Sequence, residues 1–162
     1  MKKMLVSAAV ALVFITAHAA TLPELKEDLW SVHTQLIDNP GNQKSDGTYT
    51  LCRDHAYDQS VQARAKKMKG CTTVSETFQG GKLSTEMRCV VAGTVIETKG
   101  TTTSQGDTSV HSESHTTYTP AFAGKTESTM IMDQKYAGSC PAGAQPGDRI
   151  DPNGRVIHLG KH

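Results

Sequence analysis

Two threonine-rich strands joined by a Gly-Gly turn, with a cysteine at each open end, constrain this chain more than any other stretch. They span Gly70 to Val91, GCTTVSETFQGGKLSTEMRCVV. β-Branched residues on both sides of Gly80-Gly81 read as a β-hairpin. A two-residue loop sets Val74 opposite Met87 and Phe78 opposite Leu83, which gathers apolar residues on one face. The same register sets Cys71 opposite Val90, one residue out of step with Cys89. A Cys71–Cys89 bridge therefore requires one extra residue in the hairpin, as a β-bulge or a three-residue loop. Closing so short a loop contributes about 3 kcal/mol in the chain-entropy account.

The chain has four cysteines: Cys52, Cys71, Cys89 and Cys140. An even number in an exported chain reads as disulfides formed in an oxidising compartment. Four cysteines allow three connectivities. The hairpin selects Cys71–Cys89 and leaves Cys52–Cys140. None has Cys-x-x-Cys spacing, so zinc ribbons and thioredoxin-like redox chemistry are poorly matched. Export itself is read from the first residues. Lys2 and Lys3 precede an apolar run, Met4 to Ile15, and Ala17-His18-Ala19 is an A-x-A cleavage site. That is the pattern of a signal peptide, residues 1–19. No later apolar stretch approaches the ~18–20 residues of a transmembrane helix. The expected location is periplasmic or secreted, soluble after cleavage.

Two of the 17 Lys and Arg side chains lie in that leader, which leaves 15 against 16 Asp and Glu. This balance gives no reason to expect nucleic acid or an anionic membrane surface as a partner. Hydrophobic residues make up 36% of the chain even with the leader counted. The core must therefore be thin, and disulfides compensate for thin cores.

Leu29 to Ile37 alternates with period two: Trp30, Val32, Thr34 and Leu36 on one face, polar residues on the other. Asp38 to Asn42 is a turn cluster, Ser45 to Gly47 continues it as loop, and Gly47 to Cys52 is a second strand. Asp54 to Lys69 is the one helix. Asp54 serves as N-cap, and Tyr57, Val61, Ala65 and Met68 recur at helical spacing. Arg64, Lys66, Lys67 and Lys69 gather near its C-terminus, where the helix dipole favours cations, and Gly70 stops it. After the hairpin come strands at Thr94–Thr103, broken near Gly100, and at Thr108–Thr119 and Thr126–Ala137. Pro120 to Lys125 is a loop. Pro146-Gly147 and Asp151-Pro152-Asn153-Gly154 are turns in the C-terminal stretch.

With these residues in order, the chain resembles a family of exported bacterial proteins known as domain of unknown function 3617. The resemblance is carried by Leu29-Trp30-Ser31-Val32, Cys52 before the helix, Gly70-Cys71-Thr72 after it, and Gly80-Gly81-Lys82. Arg88-Cys89, Gly106-Asp107-Thr108 and Gly138-Ser139-Cys140-Pro141 complete it. It implies export and a β-rich fold, and it supplies no activity, ligand or catalytic residue.

The expected fold is mainly β: a curved antiparallel sheet or partial barrel with one α-helix, stapled by two disulfides. Residues 20–141 form a single β-rich domain and residues 142–162 a flexible C-terminal tail. For chemistry, His111, Glu113 and His115 share one face of a strand and form the candidate metal set, with His33 or His55 as a further ligand. Two histidines four residues apart on a strand lie roughly 13 Å apart, which is awkward for one ion. No G-x-S-x-G, H-E-x-x-H or phosphate-loop motif occurs. The sequence accordingly points to no catalytic residue and no cofactor, and it leaves the ligand-binding residues open. Trp30, Phe78, Met87, Met130, Met132 and Tyr136 are candidates to line a concave apolar face, and Met-rich surfaces adapt to varied ligands. The leading reading is a non-enzymatic binding or envelope-associated module. Its partner would be an apolar small molecule or an envelope protein. A metal-binding protein and an uncharacterised hydrolase are the alternatives.

Overall fold

Long alternating runs punctuated by Gly-containing turns build antiparallel neighbours in sequence order. The computed structural model describes residues 22–158, so the leader expected at residues 1–19 lies outside the described residues. The elements are β1 (Asp28–Asn39), β2 (Gln43–Arg53), α1 (His55–Lys66), β3 (Cys71–Gln79), β4 (Lys82–Val91) and β5 (Thr94–Gln105). They continue with β6 (Ser109–Phe122), β7 (Lys125–Gly138), β8 (Arg149–Ile150) and β9 (Val156–Ile157). All strands lie in one antiparallel sheet, ordered β3-β4-β5-β6-β7-β1-β2-β8-β9. It is open: β3 and β9 do not pair.

The central hairpin contains the irregularity that its cysteines require. Gln79↔Lys82 through Ser75↔Glu86 follow the two-residue Gly80-Gly81 turn, and Thr73↔Met87 through Cys71↔Cys89 follow the other register. The extra residue is Val74. The expected Val74–Met87 pair is thus corrected to Thr73–Met87, because the bulge that aligns the cysteines displaces Val74, which is 57% exposed. Both disulfides form, Cys71–Cys89 and Cys52–Cys140.

Other boundaries shift for local reasons. Ser45 to Gly47 is strand, because β1 keeps pairing with β2 as far as Asp38↔Gln43 and confines the loop to the residues between. β5 passes through Gly100 unbroken. A side chain at Gly100 would meet Thr85 Oγ1 at 3.2 Å, so the residue relieves crowding between strands. The helix starts where expected, with Asp54 accepting from the Tyr57 amide at 2.6 Å. It ends at Lys66, and two further turn-type hydrogen bonds, Met68 N to Ala65 O and Cys71 N to Met68 O, lead into β3.

The course of α1 reveals the shape of the sheet. It leaves β2, at one flank, and delivers the chain to β3, at the opposite edge, six strands away. Arg53 is level with Asp28, whereas Cys71, through Cys89, Ile96 and Tyr118, lies beyond the level of Asp38. On a flat sheet those corners would be roughly 45 Å apart. A helix of this length with its turns reaches only about 30 Å. The sheet therefore curls, and α1 crosses its concave side as a strap.

Register assigns the two faces. The concave face carries Trp30, Val32 and Leu36 of β1 and, by pairing, Met130, Met132 and Tyr136 of β7, with Tyr49 and Leu51 of β2 beside them. The convex face is mainly polar, with Thr, His, Glu and Lys in cross-strand rows such as Glu86–Lys99–His115, interrupted by Ile37, Val90, Val95 and Ile131. Fully buried apolar residues are few. Trp30, Val32 and Val110 cluster on the concave side near the start of α1, whereas Cys89 stands apart. Trp30 is 0% exposed, donates its indole N–H to Lys26 O at 2.8 Å, and meets Tyr136 edge-on at 6.3 Å. The segment beyond Pro141 adds β8 and β9, with Ile150 opposite Thr50 and the Cys52 amide donating to Asp148 O at 3.0 Å.

Candidate functional site: an apolar trough beneath the helix

The concave face is filled at one end and open at the other. Its floor on β5 and β6 is made of short side chains: Thr98 faces Thr116, Gly100 faces Ser114, and Thr102 faces Ser112. Two of these pairs satisfy each other's hydroxyls, each at 3.0 Å. Short residues leave the space above them empty. Longer side chains stand on either side, Leu83 and Met87 on β4 and Met130 and Met132 on β7.

Two grooves result. The smaller, about 250 Å³, lies between β1, β2 and β7 and the first half of α1, with Val32, Tyr49, Met132, Tyr57 and Val61 around it. Arg53 enters it, paired with Asp58 at 2.8 Å and with its guanidinium 4.9 Å from the centre of the Trp30 ring. This pair ties the start of α1 to the sheet. The larger groove, about 470 Å³, falls in the range typical of small-molecule sites. Met87, Ile96, Tyr118 and Phe122 line it, Met68 borders it from the turn after α1, and Lys125 stands at its edge. No carboxylate lines it.

The helix flanks the smaller groove, and only Met68, in the turn beyond it, reaches the larger one. None of the helix residues is buried, and Val61 is 40% exposed. Of the expected apolar stripe, Tyr57, Val61 and Ala65 lie on α1 and Met68 falls in the turn beyond it; Tyr57 and Val61 border the smaller groove and Met68 the larger.

A polar cluster closes the Lys125 end. Lys125 Nζ lies 2.6 Å from Asp38 Oδ2, Ser128 donates to Asp38 Oδ1 at 2.5 Å, and Tyr118 donates to Ser128 at 3.3 Å. The hydrogen bond from Lys125, and secondarily that from Ser128, holds the Asp38 carboxyl below its ordinary pKa, and Asp38 raises that of Lys125 in turn. A carboxylate so stabilised is a weak base, which gives Ser128 no activation as a nucleophile.

Of the six candidate lining residues, Met87 and Met132 line grooves. Trp30 and Tyr136 belong to the filled end, Met130 stands exposed between the two regions, and Phe78 is half-buried near the hairpin turn. Ile96, Tyr118, Phe122 and Lys125 are lining residues that the sequence reading does not single out. Alternation is the signal that reaches one of them: Tyr118 falls on the Val110–Thr116 face.

The candidate metal residues lie on the opposite, convex face. His111 Nδ1 is 2.8 Å from Asp133 Oδ1, and His115 Nδ1 is 3.3 Å from Thr129 Oγ1. Glu113 is exposed between them. His33 is engaged by Asp46 at 2.9 Å. His55 contacts the Leu25 carbonyl at 2.9 Å, which raises its pKa with help from nearby carboxylates. Among the described residues no group of three or more His, Cys, Asp or Glu converges as a metal would require. Nor, among them, is any helix long and apolar enough to cross a membrane.

An open, disulfide-stapled antiparallel sheet with a strapped and partly unfilled inner face defines a class of small β-scaffold proteins. Within that class, the chain belongs to the family described as Protein of unknown function (DUF3617), whose model matches residues 25–140. The matched span takes in the sheet from β1 to β7, the helix and all four cysteines, and stops before β8 and β9. No curated protein matches the chain.

Proposed function

We propose that this protein is an exported, non-enzymatic binding module of the cell envelope that holds an apolar small molecule in the groove between the turn after α1 and strands β4 to β6. The observation that carries this reading is the larger groove, an apolar space of about 470 Å³ that the protein's own side chains leave open. Export is supported by the leader pattern of residues 1–19 and by two disulfides, which persist in oxidising compartments. Adaptable methionines on the groove walls suit a flexible apolar ligand better than a rigid polar one. The alternatives draw less support: the histidine set does not converge, and the Ser128 cluster lacks a competent base.

The test is titration with the uncharged fluorophore N-phenyl-1-naphthylamine, using purified protein without its leader. Fluorescence should rise saturably, and dodecanol should displace the probe. Met87→Lys and Ile96→Lys should each weaken binding at least about 10-fold, since each would place a charge in apolar surroundings. His111→Ala on the convex face should bind as wild type. Near-UV circular dichroism checks that each variant is folded. Unchanged affinity in folded Met87→Lys and Ile96→Lys would remove the larger groove as the site.

A further inference from the structure

We infer that the ligand of the larger groove is an anionic amphiphile, its acyl chain in the groove and its carboxylate or phosphate held by the cations at the end of α1. The inference rests on the binding reading above and adds the chemistry of the head group.

Three observations place that chemistry. The first is position. Met68 borders the larger groove, and its neighbours in the chain are Lys66, Lys67 and Lys69, with Arg64 one turn earlier. The stretch that brings Met68 to the groove is therefore the most basic stretch of the domain. The second is availability. All four cations are exposed, and among the described residues none has an ion-pair partner. Lys125, by contrast, is neutralised by Asp38 at the far end of the groove. The third is the lining itself: it contains no acidic side chain, and the nearby Asp38 carboxylate is paired with Lys125.

Dipole compensation accounts for basic residues in the last turn of a helix. It does not account for four of them around a methionine that borders an empty apolar groove. A ligand with an apolar chain and a negative head would bury Met68, Met87 and Phe122 against its chain and bring its charge to flexible cations that give up no existing pair. A neutral ligand would gain the first term alone. A cationic one would meet repulsion.

The experiment uses three probes of equal chain length: laurate, dodecanol and dodecyltrimethylammonium. Each displaces N-phenyl-1-naphthylamine from the full mature chain at low salt, below the micellar range. Laurate should bind at least about 10-fold more tightly than the cation, and the gap should narrow in 0.5 M salt as the charges are screened. The triple variant Lys66→Gln/Lys67→Gln/Lys69→Gln should lose the preference for laurate and keep wild-type affinity for dodecanol. Equal binding of the three probes, or a laurate preference that survives in the triple variant, overturns the head-group assignment while the apolar site stands. Failure of all three probes to displace the fluorophore overturns both readings. A vesicle arm separates the remaining source of anionic lipid. If the protein sediments with phosphatidylglycerol vesicles through the same lysines, and excess laurate does not compete, the cations serve a membrane surface and the single-ligand inference is wrong.

Discussion

Gly70 shows how one residue can couple the helix, the hairpin and a disulfide. Its φ is +77°, a conformation that costs an L side chain roughly 1–2 kcal/mol. A Cβ there would also come within 2.7 Å of the Val90 carbonyl oxygen. That oxygen is part of the backbone, and the Val90 amide donates to Gly70 O at 2.8 Å, so the turn at Gly70 and β4 are held together. Gly70→Ala should therefore destabilise the protein by about 2 kcal/mol or more. Gly106 has a φ of +62° with open space around it, and Gly106→Ala should lose only the conformational part, about 1 kcal/mol. Urea unfolding of both variants checks the contrast. Equal losses would mean that the close approach to Val90 carries no energy. The sequence places Gly70 at the C′ position of the helix, but the helix ends at Lys66 with Lys67 as its C-cap, so Gly70 instead shapes the turn into β3. Its contact with Val90 is not legible in the sequence, since it depends on how the bulge at Val74 sets β4 against the turn.

Among the elements, the hairpin is the most readable because two independent constraints apply to it. Turn length and cysteine alignment disagree by one residue, and a bulge is the local structure that reconciles them. The helix is readable only in part. Its apolar spacing predicts a face, but the same spacing arises whether the face is packed or overhangs a gap, so the strap geometry comes from topology. The trough is hidden for a related reason. Thr98, Gly100, Ser112 and Ser114 look like ordinary polar strand positions, and only their pairing shows that they form one floor. The two disulfides also differ as elements. Cys71–Cys89 closes 18 residues within a hairpin that is paired already, whereas Cys52–Cys140 closes 88 and joins the start of α1 to the end of β7. Chain entropy assigns about 3 kcal/mol to the first and about 4.6 to the second. Cys52→Ser/Cys140→Ser should accordingly lower the urea midpoint more than Cys71→Ser/Cys89→Ser. The reverse order would show that loop entropy is not what these bridges supply.

At the scale of the molecule, the arrangement divides the chain into a rigid sheet and a strap held mainly at its ends. β6, β7 and β1 are each flanked by long partners on both sides, over most of their length. α1 is fixed at its start by the Asp54 cap, the Arg53–Asp58 pair and Tyr57, whose ring would lie 3.0 Å from a side chain at Gly147. From Gln59 to Gly70 every residue is exposed, and the next fixed point is Cys71. Local opening is easiest where few apolar contacts must be broken. Amide hydrogen exchange should therefore be slowest in the middle of β7, β1 and β6, and at least about 100-fold faster in the second half of α1. Its first turn should fall between. Laurate bound in the larger groove should slow exchange around Met68 and Cys71 and leave β1 unchanged, because the ligand supplies the apolar contacts that the chain lacks there. Uniformly slow exchange along α1 in the free protein would mean that the helix is covered in solution, most simply by a second copy, and that the trough is not open to a small molecule.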